Sequence, residues 1–192
     1  MKAGKPSPAT ELRESARVKL ALARTHAGAF SSACRMLLRC VKSGHKILLF
    51  GNGGSAADAQ HIATEIVGRF VRERRGLPAI ALTTDTSALT SISNDYGFEY
   101  VYARQVQALA RRGDVVVAIS TSGNSPNVLE GIRAARKAGA GIIGMTGASG
   151  GAMARMCDTV FTVPSKSTQR VQEAHITIGH ILCGAIDESI IS

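Results

Sequence analysis

The sequence predicts an α/β protein: a three-layer sandwich around a central five-stranded parallel sheet, led in by a long N-terminal helical segment. Two observations carry that prediction. Five short, almost wholly apolar runs recur along the chain, and segments with helical spacing separate them. A strand covered on both faces reads as a continuous apolar run, whereas one wet face would give alternation. Strands that alternate with helices are the mark of a parallel sheet wrapped on both sides.

The elements follow in order. Residues 1–8, with Gly4, Pro6 and Pro8, are read as loose. From about residue 10 to residue 43 the apolar positions Leu12, Ala16, Leu20 and Ala23, then Phe30, Ala33, Leu37 and Val41, keep helical spacing. One long helix or two is expected there, with Gly28 as the weak point and Gly44 as the stop. Strands are expected over 46–50, 79–83, 115–120, 141–145 and 159–163. Helices are expected over 55–68, 87–92, 98–110, 126–138, 149–156 and 168–190. No repeat or linker divides the chain, so residues 1–192 are read as one domain, with the helical segment over about 10–44 and the α/β core over 45–192.

Composition narrows the function. No apolar run approaches the ~18–20 residues of a membrane span, and the N-terminus has no apolar core of a secretory signal. A cytoplasmic protein that engages no membrane is expected. Cys34, Cys40, Cys157 and Cys183 show no CxxC spacing and are read as free thiols. The net charge of +9 is dispersed along the chain, aromatic residues are 4%, and no nucleic-acid motif is present. The basic surface therefore fits an anionic metabolite better than a nucleic acid.

Two glycine-rich turns fall at strand ends, where ligands bind in open α/β sheets. The first, Asn52-Gly53-Gly54, permits positive φ and close ligand approach. Ser55 is expected to cap the following helix, with Asp58 completing a capping box. His61 and Glu65 stand four residues apart on that helix and can meet one ligand, although such a pair alone is also an ordinary surface ion pair. The second turn reads Ser120-Thr121-Ser122-Gly123-Asn124-Ser125-Pro126. Ser125 suits an N-cap and Pro126 the first helical position. Hydroxyls and backbone N–H groups gathered at the positive end of a helix suit phosphate. No Gly-Lys-Ser/Thr follows, which excludes a Walker-type nucleoside triphosphate site. On the last helix Gln172 and His180 share one broad polar face at the ~3.6-residue period. A core histidine is the ordinary reading of His180 taken alone.

Taken together, residues 52–61, Asn94-Asp95-Tyr96-Gly97, residues 119–125 and Gln172-Glu173-x-His175 with His180 resemble the sedoheptulose-7-phosphate (phosphoheptose) isomerases of the sugar isomerase (SIS) domain class. The resemblance runs from about residue 10 to the C-terminus. It implies a flavodoxin-like SIS sandwich and a homotetramer with active sites shared between subunits. It implies isomerisation of D-sedoheptulose 7-phosphate to D-glycero-D-manno-heptose 7-phosphate, the first step towards activated heptose for lipopolysaccharide or capsule. Carried over by position, Glu65 resembles the catalytic base and His180 its acid/base partner. Asn52, Gly53, Gly54, Ser55, Asn94, Asp95 and Gln172 resemble sugar contacts, and Ser120, Thr121, Ser122 and Ser125 the phosphate cradle. Some members hold one zinc per subunit through positions matching His61, Glu65, Gln172 and His180. Some also carry an Asp before the basic residue of the last helix, where this chain has Gln169 before Arg170. Relatives that bind the bacterial replication initiator share the glycine turn and Ser-rich loop but lack the Glu and the second His. An isomerase of another sugar phosphate would share the Ser-rich loop.

Overall fold

The computed structural model describes residues 7–190. The loose reading of residues 1–6 lies outside them. Ser7 and Pro8 already belong to the first helix, because the Ser7 hydroxyl accepts the Thr10 N–H and Pro8 occupies the opening position.

Two helices lead in, α1 (Pro8–Thr25) and α2 (Ala27–Lys42). They break at His26, not at Gly28. The His26 imidazole accepts the backbone N–H of Thr162 at 3.2 Å and also meets the Thr25 hydroxyl at 2.7 Å, so a tertiary contact fixes the corner. Gly28 lies inside α2 with open space around it. Gly44 ends the segment in the left-handed region, as expected.

The core then alternates β1 (Ile47–Gly51), α3 (Gly54–Val67), β2 (Ala79–Ala81), α4 (Thr86–Tyr96), α5 (Val101–Leu109), β3 (Val115–Ser120), α6 (Pro126–Ala138), β4 (Gly141–Thr146), β5 (Thr159–Thr162) and α7 (Thr168–Ser189). All five strands pair in parallel, in the order β2-β1-β3-β4-β5. That order reverses between β1 and β3, the switch point where such sheets open a crevice. Alternate side chains sort to the two faces. Ile47, Leu49, Val117, Ile143 and Phe161 pack under α1, α2, α3 and α7. Leu48, Phe50, Val116, Ala118 and Ile142 pack under α5 and α6, with Leu89 and Ile92 of α4 at the margin. All four cysteines are free. No helix among the described residues is long and apolar enough to cross a membrane.

Two expected helices change character. Over 149–156 there is only a 3-10 turn, Ala152–Arg155, because Gly150 and Gly151 take φ of 70° and 57° and cannot continue an α-helix. The segment 98–110 divides into a 3-10 turn, Phe98–Tyr100, and α5. The strand expected over 79–83 stops at Ala81.

Candidate active site

The crevice between β1 and β3 is built from close backbone approaches. A Cβ on Gly51 would stand 2.7 Å from the Ile119 carbonyl oxygen. The chain then turns through Gly53, at φ 55° and ψ −122°, into α3. Asn52 is held rather than free. Its Nδ2 donates to Asn127 Oδ1 at 2.9 Å, and Asn127 Nδ2 donates back to its Oδ1 at 2.8 Å. The buried Tyr102 hydroxyl donates to the Gly51 carbonyl at 2.6 Å, and burial pushes its pKa up to about 12, keeping the proton in place.

Ser55 does not cap α3. The helix starts one residue earlier with Gly53 at the cap position, and Ser55 is buried inside the first turn. Asp58 therefore completes no capping box. Its Oδ2 is buried without a partner, and burial raises its pKa to about 6 against the opposing pull of His61.

α3 and α7 pack in parallel: Gln172 lies on Gly54, Gly179 on Ile62, and Gly184 near Phe70. A Cβ on Gly179 would come 2.6 Å from Ile62, so the glycine sets how closely the helices approach. That approach brings His61, Glu65 and His180 together. The His61 Nε2 stands 3.3 Å from Glu65 Oε1 and 3.0 Å from His180 Nε2. The three candidate ligand atoms lie within 4.8 Å of one another. Phe70 stacks on the His180 ring at 5.6 Å between centroids. The base of the pair is anchored from below. Arg74, buried, donates to the Glu65 backbone carbonyl at 2.9 Å and to Asp187 of α7 at 2.7 Å.

Gln172 takes a different place. Its amide packs on the glycine turn, with Cδ 2.9 Å from where a Gly54 Cβ would be. It stands ~12 Å along α7 from His180 at ~1.5 Å per residue. Two imidazoles and one carboxylate aimed at a common point fit zinc with an open position. His175, on the same helix, is fully buried beside the Thr146 carbonyl, and burial lowers its pKa to about 4. It is a neutral core histidine.

The Ser-rich loop forms the second half of the site. Ser120, nearly buried, places its Oγ 2.9 Å from Ser125 Oγ and 3.4 Å from Ser122 Oγ. Ser125 occupies the cap position of α6 but makes no side-chain cap hydrogen bond; Pro126 has no N–H and the Val128 N–H donates to Asn127 Oδ1 at 3.0 Å, which leaves the Asn127 N–H open in the first turn. Thr121 and Ser122 line a cavity of about 500 Å³ that continues over Gly147–Ser149 to Ser165, Lys166, Thr168 and Val171. Sequence reading missed the last two walls. The signal was available, since both follow the carboxyl ends of strands. Asn94 and Asp95 are exposed at the end of α4, with the Asn94 amide donating to Asp95. The apolar residues of α4 pack on the opposite face of the sheet from α3 and α7.

Comparison with known proteins meets this geometry. The family model described as SIS domain matches residues 12–147. The chain belongs to the SIS domain family. Among its SIS relatives is a phosphoheptose isomerase from Aquifex aeolicus, 55% identical over 178 residues, covering 93% of each chain. The solved structure of phosphoheptose isomerase GmhA from Neisseria gonorrhoeae superposes with a TM-score of 0.89 at 46% identity, covering 94% of this chain and 96% of that one. A phosphoheptose isomerase structure from Francisella tularensis gives 0.90 at 37% identity with the same coverage.

Proposed function

We propose that this SIS protein is an aldose–ketose isomerase that converts D-sedoheptulose 7-phosphate to D-glycero-D-manno-heptose 7-phosphate. One observation carries the chemical reading: Glu65 and His180 meet in one cluster between α3 and α7, while a hydroxyl-lined cavity opens nearer the N-terminal end of α7, at Thr168 and Val171. Non-catalytic SIS relatives of the initiator-binding kind would not need that pair. The relatives named phosphoheptose isomerase support the substrate.

The reaction moves hydrogen without changing the formula. The Glu65 carboxylate takes a proton from C1 of the ketose while O2 gains one, giving a 1,2-enediol. A proton then returns to C2, and O1 gives one up as the aldehyde forms. His180 serves the protons on oxygen, within reach of both. His61, Glu65 and His180 would hold zinc, with Gln172 as the fourth ligand only if its amide leaves Gly54. Zinc bound there would supply Lewis-acid polarisation of the carbonyl. Asn52, Gly53, Gly54, Ser55 and Gln172 would bound the sugar, and Ser120, Thr121, Ser122 and Ser125 the phosphate.

The same reading includes a homotetramer with shared sites. Val67, Val71 and Ile181, all close in sequence to the cluster, are 49%, 69% and 48% exposed. Asn94 and Asp95, exposed at the end of α4, would reach a neighbour's site. Light scattering measures the assembly directly. A monomer would remove the shared-site reading.

The activity test is incubation with sedoheptulose 7-phosphate, with and without a chelator, following aldoheptose phosphate. Glu65→Gln should abolish turnover and leave phosphate-sugar binding in place. Near-wild-type activity in that variant would remove Glu65 from the mechanism.

A further inference from the structure

We propose that Lys166 is the counter-charge of the phosphate subsite, its ammonium facing the anion across the cavity at the carboxyl ends of β3, β4 and β5. This rests on the sugar-phosphate reading above and adds to it a residue from the loop before α7. The hydroxyl cradle alone offers hydrogen bonds but no formal charge against a phosphate of about −2.

The cavity wall supplies the argument. Its polar lining is made of hydroxyls, and Lys166 is its single charged side chain, with no carboxylate among the lining residues. The three loops are tied into one surface. The Gly147 N–H donates to the Thr121 carbonyl at 3.0 Å, the Met153 N–H to Gly123 at 3.0 Å, and the Ala152 N–H to Asn124 Oδ1 at 2.8 Å. A Cβ on Gly147 would stand 2.6 Å from the Thr121 oxygen, so these loops cannot part without losing their packing. The Ser165 carbonyl, one residue before Lys166, accepts from Ala148 at 3.4 Å.

Two further features point the same way. Ser167 occupies the cap position of α7 but its side chain caps nothing, and the first intrahelical bond to it comes from Val171. The N–H groups of the first turn are therefore open on the side where Thr168 and Val171 line the cavity. Lys166 itself enters no hydrogen bond or ion pair among the described residues. An acidic alternative exists, because Lys166 also borders a second cavity shared with Glu14 and Arg17. Glu14 stands 4.0 Å from the exposed Arg17 guanidinium there. The hydroxyl-lined cavity holds no carboxylate, so there the ammonium meets the anion alone.

The test is Lys166→Met in the full chain, with Lys166→Arg as the conservative partner. Inorganic phosphate serves as a competitive inhibitor and as a calorimetric ligand. KM for the sugar phosphate and the inhibition constant for phosphate should both rise about tenfold in Lys166→Met, the scale of one charge-assisted hydrogen bond. The rate constant kcat should stay within about twofold, because the charge is felt equally in ground and transition states. Lys166→Arg should restore most of the affinity, and added salt should narrow the gap between wild type and Lys166→Met. Unchanged KM and phosphate affinity in Lys166→Met, or a loss confined to kcat, overturns the assignment. If wild type turns over no sedoheptulose 7-phosphate, the functional reading fails by itself. Calorimetry with phosphate then still decides: weaker binding in Lys166→Met supports Lys166, and equal binding overturns it.

Discussion

Arg74 and Asp187 form an ion pair at 2.7 Å with side chains 1% and 2% exposed, and the same guanidinium holds the Glu65 carbonyl. The pair therefore ties the far ends of α3 and α7 to each other. Burial alone would raise the Asp187 pKa, but N–H donation from Arg72 and Val71 and the charge of Arg74 outweigh it and hold it below the usual carboxylate range. Asp187→Ala leaves a buried cation unpaired and should cost about 3–5 kcal/mol in denaturant unfolding. A loss below ~1 kcal/mol would show that the pair is dispensable.

Gly179 sets the approach of α7 to α3. Gly179→Ala gains helix propensity of roughly 1 kcal/mol but drives a methyl into Ile62. Activity should fall at least about tenfold while stability changes by less than ~2 kcal/mol. Trimming the partner, in Gly179→Ala with Ile62→Val, should recover much of the rate. If activity is unchanged in the single variant, cluster geometry does not depend on this spacing.

Acid should weaken the fold through His175. Its folded pKa, about 4, lies below the unfolded value of 6.5 because burial disfavours the imidazolium. As pH falls through that window the unfolded chain takes up a proton that the native chain refuses, so stability drops, by roughly 3 kcal/mol in all. Asp58 works in the opposite sense. Its folded pKa of about 6 lies above the unfolded 3.8, so its contribution is present at low pH and is lost as pH rises through 6. Comparing wild type with His175→Gln across pH 4 to 6.5 isolates the histidine. The variant should lose most of the acid slope, and parallel curves would refute the account.

Metal content can be read apart from turnover. Purified protein loaded with zinc should retain about one equivalent per chain after dialysis, and His61→Ala should retain markedly less. Gln172→Ala should have the smaller effect, because the Gln172 amide packs on Gly54 within one chain. Equal losses in the two variants would mean that Gln172 is a ligand on the same footing.

The central strands β1, β3 and β4 were legible because they are buried on both faces and leave continuous apolar runs, whereas the edge strand β2, with Ile80 40% exposed, ends at Ala81, short of its apolar run. Helix boundaries were legible where local chemistry decides them, as at Pro126. They were not where a distant group decides. His26 breaks α1 from α2 because Thr162 lies beside it, and no spacing in the sequence records that neighbour. Ser55 looked like a cap because residue type suggests one, but the backbone enters α3 at Gly53. Within the site, His61 and Glu65 were readable as a helical pair. Their meeting with His180 needed the parallel packing of two helices far apart in sequence. Ser149 and Lys166 stayed hidden although their loops hold Gly147, Gly150, Gly151, Ser165 and Ser167, because the stretch 149–156 was read as a helix and the loop before the last helix was not read as part of the site.

Parallel packing also turns α7 into a gauge. Val171 stands at the cavity and His180 beside His61 in the cluster between α3 and α7. Nine residues of helix separate them, a span of ~14 Å at ~1.5 Å per residue. Under the proposed isomerase reading, a substrate tethered at the cavity by its phosphate would have to cover most of that interval before its carbonyl met Glu65. A three-carbon sugar phosphate falls short, whereas a seven-carbon chain has the reach. On that reading, selection by length would follow from a rigid rod with a fixed mark at each end, without a separate contact for every hydroxyl in between.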